Sequence, residues 1–245
     1  LRYRYNNVPM DRPGRYFYIK DETTQRFWSP TWQPTLNQLA KYECRHGLGY
    51  TKFHSTHSDI EARVRYFVPQ SDDLEIWEIE ITNQSDRHKN ITLFTYAEFC
   101  LWNALKDMQD LQYMQNIAKA EYNQELHAII YNLFDKSTPY AFFSSNEIPF
   151  NYDCDREEFI GPYRSEANPL AVERGNCQNS ILDGGNPIAA TSRSFKLKSH
   201  QSLKFHYYLG IANTLETCQQ LIKKYQQRSI VDAAFRQNNE AWTHY

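Results

Sequence analysis

Leu74-Glu75-Ile76-Trp77-Glu78-Ile79-Glu80-Ile81-Thr82, then Asn83-Gln84-Ser85-Asp86, then Ile91-Thr92-Leu93-Phe94-Thr95-Tyr96-Ala97-Glu98-Phe99 reads as strand, turn, strand. Alternation with a period of two sends successive side chains to opposite faces of a sheet, and β-branched and aromatic residues suit that conformation. The alternation slips phase between Ile76 and Trp77. Such a slip requires either a β-bulge or burial of both faces. Asn, Ser and Asp in the connection supply turn chemistry, so residues 74–99 are expected to form a β-hairpin.

The same pattern extends on both sides. Ile60, Ala62, Val64 and Tyr66 share one face, and Glu61, Arg63 and Arg65 share the other. Further strand candidates are residues 127–131, 140–144, 192–197 and 203–209, the last with Leu203, Phe205, Tyr207 and Leu209 on one face. Strands at this spacing with short connections imply an antiparallel sandwich and not alternating strand–helix units. The expected fold class is therefore mainly β, a large antiparallel β-sandwich. Residues 146–187 hold Pro149, Pro162, Pro169, Pro187, Gly161, Gly175, Gly184 and Gly185, and are expected to be a long loop of functional or interface character. Near the end the period changes. Leu215, Cys218, Leu221, Ile222 and Tyr225, then Val231, Phe235 and Trp242, recur at helical spacing. Two helices after a sandwich read as a connector whose apolar stripes await a partner domain. The expected division is a sandwich over residues 1–214 and a helical linker over residues 215–245.

Composition narrows the class. With 27 Lys+Arg against 29 Asp+Glu, the net charge of −2 gives no electrostatic footprint for nucleic acid or an anionic membrane. No run of apolar residues is long enough to span a bilayer. Aromatic residues make up 15% of the chain, an excess that suits both an all-β core and flat faces for stacking on sugars. Cys44, Cys100, Cys154, Cys177 and Cys218 are scattered and odd in number, which points to reduced thiols in a cytoplasmic protein. Leu1-Arg2-Tyr3-Arg4 opens without an initiator Met or an apolar leader, so the chain is expected to be an excerpt of a longer protein.

Residue chemistry alone identifies no active site. Asp153, Asp155, Glu157 and Glu158 lack the glycine and terminal glutamate of a calcium loop and enclose Arg156, which suits a solvated or Arg-paired loop. His54 and His57 sit in strand-like context without a Cys partner, so no metal site is expected there. There is no GxSxG, P-loop or GxGxxG pattern. Trp28-Ser29-Pro30-Thr31-Trp32-Gln33-Pro34 sets two Trp between prolines, where they either pack a sandwich corner or stack on sugar. Phe99-Cys100-Leu101-Trp102-Asn103 ends a strand and leads into a polar excursion over residues 104–115, a place for a site or an interface.

Tyr3-Arg4-Tyr5-Asn6-Asn7, Gly14-Arg15-Tyr16-Phe17-Tyr18-Ile19-Lys20-Asp21 and the Trp28 to Pro34 stretch occur in that order. Glu43-Cys44-Arg45-His46-Gly47-Leu48-Gly49-Tyr50, Tyr66-Phe67-Val68-Pro69 and Glu98-Phe99-Cys100-Leu101-Trp102-Asn103 follow. Gly161-Pro162-Tyr163-Arg164 and Asn168-Pro169-Leu170-Ala171-Val172-Glu173-Arg174-Gly175 complete the series. Together these blocks resemble the N-terminal region of the cellobiose and chitobiose phosphorylases, glycoside hydrolase family 94, formerly glycosyltransferase family 36. They are collinear over nearly the whole chain.

The resemblance implies a super-sandwich domain, a helical linker, an (α/α)6 barrel beyond this chain and a small C-terminal β domain. It implies a glycosyltransferase that acts as a disaccharide phosphorylase, by reversible, inverting phosphorolysis of a β-linked disaccharide. An Asp general acid protonates the glycosidic oxygen while inorganic phosphate attacks, giving an α-sugar 1-phosphate. Phosphate is then a substrate, no cofactor is needed, and a second catalytic carboxylate is unnecessary. The Asp and the phosphate-binding residues belong to the barrel, so no catalytic and no metal-binding residue is assigned to this chain. A homodimer is implied, in which the loop after the Glu98 to Asn103 block reaches the partner subunit's acceptor subsite. Ungapped alignment places Gln112 on that loop's Gln, and Tyr113 where cellobiose phosphorylases carry Arg. Met114, Gln115 and Asn116 replace the usual Asn-Leu-Ser. Gln112 and Tyr113 are thus the candidate substrate contacts, against the alternative that Tyr113 only packs the dimer interface. Loss of a cation there argues against a plain glucose acceptor and leaves cellobionate, chitobiose or another β-disaccharide open. Two other readings remain: a carbohydrate-binding or structural β-sandwich without its own chemistry, and a domain of a cyclic β-1,2-glucan synthase.

Overall fold

A computed structural model describes residues 14–101, 105, 109–133 and 138–244, the side chains of Leu111 and Met114 excepted. The Tyr3 to Asn7 block and Trp102-Asn103 lie outside the described residues. In chain order the strands are β1 (Tyr16–Asp21), β2 (Arg26–Trp28), β3 (Lys41–His46), β4 (Tyr50–His57), β5 (Ile60–Phe67), β6 (Leu74–Asn83) and β7 (Lys89–Glu98). They continue with β8 (Ala118–Asn123), β9 (Ala128–Leu133), β10 (Tyr140–Ser145), β11 (Asn151–Asp155), β12 (Leu182–Asp183), β13 (Pro187–Leu197) and β14 (Ser202–Ala212). The helices are α1 (Leu111–Ile117), α2 (Arg156–Ile160), α3 (Leu170–Arg174), α4 (Leu215–Tyr225) and α5 (Arg228–Thr243). One sheet has five strands, in the order β11-β13-β7-β1-β2, and the other has nine, in the order β12-β8-β9-β10-β14-β6-β5-β4-β3. Their facing sides enclose one apolar core, and the super-sandwich expectation holds.

The expected hairpin over residues 74–99 does not form. β6 pairs with β5 and β14 in the nine-stranded sheet, whereas β7 pairs with β1 and β13 in the five-stranded one. The connecting residues arch across the sandwich, whose sheets lie ~10 Å apart. The physical reason is burial: nearly every residue of β6 and β7 is shielded, so each strand needs a neighbour on both edges. The connection from β13 to β14 makes the same crossing alongside. Asn83 ties the two arches together. Its side-chain amide donates to the carbonyl oxygens of Arg87 (2.6 Å), Lys198 (3.1 Å) and Leu197 (3.3 Å), and its Oδ1 accepts from the Ser85 backbone N–H (3.0 Å).

The phase slip at Ile76 and Trp77 proves to be two-sided burial, without a break of register against either neighbour. Trp77 points into the central core, edge-on to Phe17 and Tyr66. Ile76 points outward, with Leu74, Phe67, Tyr208, Phe142 and Ile130, into a second apolar layer.

That second layer corrects another expectation. The stripes of α4 and α5 do not stand open for a partner: Cys218, Ile222, Tyr225 and Val231 are buried against the outer face of the nine-stranded sheet. The sheet's own outward residues are apolar at that end, so they supply the complement. Polar ties fix the helices in place. Lys224 Nζ lies 2.6 Å from Asp72 Oδ2, the Tyr225 hydroxyl donates to the same oxygen at 2.5 Å, and the Tyr208 hydroxyl donates to the Tyr225 carbonyl. Buried Asn238 donates to the Gly49 carbonyl (2.8 Å) and accepts from Gln70 (2.9 Å). Gly49 is required by this contact, since a Cβ there would lie 2.3 Å from the Trp242 ring.

Residues 146–187 are also not a structureless loop. They carry β11, α2, α3 and β12. Phe159, Ile160, Ala171, Val172 and Cys177 cover Tyr16, Tyr18, Phe94 and Tyr96 on the outer face of the five-stranded sheet. Prolines and glycines there mark the turns between short elements. The result is four layers: helical cap, five strands, nine strands, terminal helices. Among the described residues no helix is long and apolar enough to cross a membrane.

Candidate functional site

The candidate contacts Gln112 and Tyr113 lie on α1, a seven-residue helix that sequence patterning presented only as a polar excursion. Asp110 caps it, its carboxylate accepting from the Tyr113 backbone N–H at 3.1 Å. At the other end α1 runs directly into β8, near one edge of the nine-stranded sheet. The turn after β12 clasps this junction. The N–H of Gly185 donates to the Gln115 carbonyl (2.7 Å), and the N–H of Gly184 donates to the Ala118 carbonyl (2.9 Å). Gly185 has φ of 137°, and a Cβ there would meet Leu182 Cδ1 at 2.8 Å, so only glycine closes the clasp without displacement. Gln112 is exposed and Tyr113 is 50% exposed, which leaves both side chains presented outward from a helix fixed at its two ends. A cleft of about 360 Å³ opens beside β8, with Asn123, Asn132, Glu121, Asp183 and Tyr140 in its wall. Gly184 and Gly185 were read in the sequence as loop residues; their meeting with the end of α1 across the sheet edge was not legible.

Behind the strand that leads toward α1 lies a buried ionic network. Glu98 is 1% exposed and accepts from the Tyr96 hydroxyl (2.7 Å) and from Arg156 Nε (3.1 Å). Arg156 Nη2 also reaches Glu166 at 2.7 Å, and the Tyr18 hydroxyl donates to the Glu166 carbonyl at 2.7 Å. Burial, then the neighbouring Glu98 charge, pushes the Tyr96 hydroxyl far above its ordinary range, so it stays a donor. The network joins β7 to the loop holding Gly161-Pro162-Tyr163-Arg164. Arg156 is thus ion-paired mainly outside the acidic stretch around it, where only Glu157 approaches, at 3.7 Å.

The rest of that stretch is structural. Asp153 Oδ1 accepts from the backbone N–H groups of Gln178 (3.0 Å) and Ser180 (3.1 Å), and Asp155 caps α2. His54 Nε2 lies 2.9 Å from Glu61 Oε1, while the His57 ring packs on Trp28 at 5.5 Å. Among the described residues no group of three His, Cys, Asp or Glu could hold a metal ion. Trp28 is a corner residue, buried, whereas Trp32 is 43% exposed with φ of 66°. All five cysteines are free.

A second charged region was missed by sequence reading. It lies on the outer face of the nine-stranded sheet, beside α5, whose Phe235 ring stacks on Arg65. Glu78, 7% exposed, accepts from Arg65 Nη2 (2.8 Å), His206 Nε2 (3.0 Å) and Lys204 Nζ (2.7 Å). Burial opposes its charge, but the His206 hydrogen bond and the Arg65 and Lys204 charges hold the carboxyl down at about 2. The signal in sequence was the charged phase of the β5 and β6 alternation, which could not reveal that the charges stay inside a ladder.

The comparisons with known proteins agree with this architecture. Residues 1–228 match the family described as "Glycosyl hydrolase 94, supersandwich domain". The N,N'-diacetylchitobiose phosphorylase of Vibrio furnissii is 37% identical over 241 residues, covering 96% of this chain and 30% of that protein. The solabiose phosphorylase of Paenibacillus borealis is 31% identical over 215 residues, covering 86% of this chain and 28% of that protein. The chain therefore spans under a third of the length of these curated relatives. Among solved structures, a bacterial glucoamylase complexed with acarbose superposes with a TM-score of 0.58 at 9% identity, over 94% of this chain and 31% of that one, a likeness of fold. From the matched sandwich and its collinear relatives, the chain belongs to the glycosyl hydrolase 94 supersandwich domain family.

Proposed function

We infer that this chain is the N-terminal domain of an inverting glycoside phosphorylase, which cleaves a β-linked disaccharide with inorganic phosphate to give an α-sugar 1-phosphate. The observation that carries this is the match to disaccharide phosphorylases along almost the whole chain. The higher identity to N,N'-diacetylchitobiose phosphorylases favours a disaccharide of N-acetylated sugars among the open substrates. In this reading phosphate is a substrate and no cofactor takes part. The general acid and phosphate ligands belong to an (α/α)6 barrel that follows the helical segment of residues 215–245, and the reaction takes place in the cytoplasm, consistent with the free thiols.

The sandwich supports a homodimer and lends α1 to the partner's acceptor subsite. Gln112 supplies an amide for sugar hydroxyls, and Tyr113 supplies a ring face with a hydroxyl where a cation would favour other acceptors. Their exposure on a capped helix, clasped by Gly184 and Gly185, is the support for that role.

The test is made on the whole protein. Phosphate-dependent release of an α-sugar 1-phosphate from N,N'-diacetylchitobiose is the expected result. Release of free sugars without phosphate would overturn it. For α1, Tyr113→Arg should leave stability unchanged and alter acceptor kcat/KM about tenfold or more in the synthetic direction. An unchanged acceptor profile assigns Tyr113 to interface packing alone.

A further inference from the structure

Three cations stand directly opposite one another on the outer face of the nine-stranded sheet. Arg45 on β3 is in register with Lys52 on β4, and Lys52 is in register with Arg65 on β5. Like charges directly opposite on adjacent strands destabilise a sheet. Two of these three cations already have carboxylate partners, and Asp232 of α5 also lies 3.8 Å from Arg65. Glu43 pairs with Arg45, Glu61 with Arg63 and His54, and Glu78 with Arg65, Lys204 and His206. Glu80 belongs to the neighbouring row, opposite Arg63 and Lys204, and lines the same cleft as Glu43 and Glu78. Lys52 alone of the three makes no ion pair among the described residues.

Two of the cations, Lys52 and Arg65, are also held in place by ring contacts. Lys52 Nζ sits 4.6 Å from the Tyr50 ring centre and 5.2 Å from that of Phe235, and the Arg65 guanidinium stacks on Phe235 at 3.9 Å. Phe235 comes from α5, so the helix that covers the apolar end of the sheet also fixes the charged end. Burial, and then the Arg65 charge, lowers the Lys52 pKa, with the Glu78 charge opposing in part. Above these side chains lies an open cleft of about 410 Å³, within the size range of small-ligand sites. A tetrahedral oxyanion seated there accepts from Lys52 and from the Arg forks while relieving the repulsion between strands.

We propose that the cleft between Arg45, Lys52 and Arg65 is a phosphoryl-anion site on the outer face of the sandwich. It lies on the strands toward the β3 edge of the nine-stranded sheet, whereas α1 adjoins β8 near the opposite edge. The shared chemistry is a phosphate group, carried either by inorganic phosphate or by a sugar 1-phosphate. The inference rests on this face and not on the reaction proposed above, so either can fail without the other.

Calorimetric titration of the 245-residue chain at fixed ionic strength tests it, with inorganic phosphate in one arm and α-D-glucose 1-phosphate in the other. Saturable binding of one ligand per chain is expected in at least one arm, and the tighter arm identifies the source. Lys52→Gln should weaken binding about tenfold or more, Lys52→Arg should restore most of it, and Lys198→Gln should change nothing. In the unsubstituted chain, the side-chain NMR signal of Lys52 should move in step with saturation. No saturable binding in either arm overturns the proposal. So does equal affinity in Lys52→Gln, or a Lys52 signal that stays still.

Discussion

Replacing Glu78 with Gln removes the one carboxylate that holds Arg65, Lys204 and His206 together on the outer face of the nine-stranded sheet. The folded protein holds this carboxyl at about 2 against an ordinary 4.5, and it is 7% exposed, so screening by solvent is slight. That difference corresponds to on the order of 3 kcal/mol of stability above the ordinary pKa. Because the folded-state pKa is depressed, the contribution is fully present above pH 4.5 and fades as pH falls through 4.5 toward 2. Glu78→Gln should therefore lose about 2–4 kcal/mol at neutral pH, since breaking one side of a buried pair leaves cations uncompensated. As pH falls toward 3, the stability gap between the two proteins should narrow, and other carboxylates cancel in the comparison. Urea unfolding followed by tryptophan fluorescence across that range reads both quantities. A variant within about 0.5 kcal/mol of the parent at neutral pH would refute the reasoning. So would a gap that keeps its size in acid.

Asn83→Asp keeps the shape of the side chain but turns a donor amide toward three carbonyl oxygens into an acceptor. A loss of about 2–4 kcal/mol in chemical denaturation is expected, larger than for an exposed Asn. Gly185→Ala forces a Cβ against Leu182 at positive φ, and should cost about 1–2 kcal/mol while making the α1 segment more sensitive to limited proteolysis. Glu98→Gln weakens the pairing of Arg156 in a buried network, so the unfolding midpoint should drop by about 2–4 kcal/mol equivalent at neutral pH.

The strand pattern of residues 60–99 was legible because burial imposes it locally. The phase slip at Ile76 and Trp77 announced either a bulge or a strand shielded on both faces, and the second holds. What covers each face was not legible. A strand, a polar turn and a second strand look the same whether the chain folds back as a hairpin or arches to another sheet, and the deciding partners, β13 and β14, lie about a hundred residues further on. The stripes of α4 and α5 were equally plain, but a stripe states only that it is apolar. Its cover, Phe67, Leu74, Ile76 and Tyr208, comes from the outward phase of three strands. At the candidate site, Gln112 and Tyr113 were reached by resemblance, since a seven-residue helix leaves too short a period to detect. The Glu78 cluster stayed hidden because it is assembled from β5, β6 and β14, each supplying one or two charges.

The twin arches tied by Asn83 also set a schedule for synthesis. β13 lies between β11 and β7, and β14 between β10 and β6, so the strands made last occupy interior positions of both sheets. A chain leaving the ribosome as far as Asn186 holds β6 and β7 with one long edge each unpaired. The five-stranded sheet cannot close until Leu197 has emerged, nor the nine-stranded one until Ala212, and the wait exposes Ile76, Trp77, Leu93 and Phe94 to other chains. Slow, non-local pairing of this kind makes the nascent domain a client for protection during translation, and makes any truncation before β14 an aggregating species and not a smaller domain.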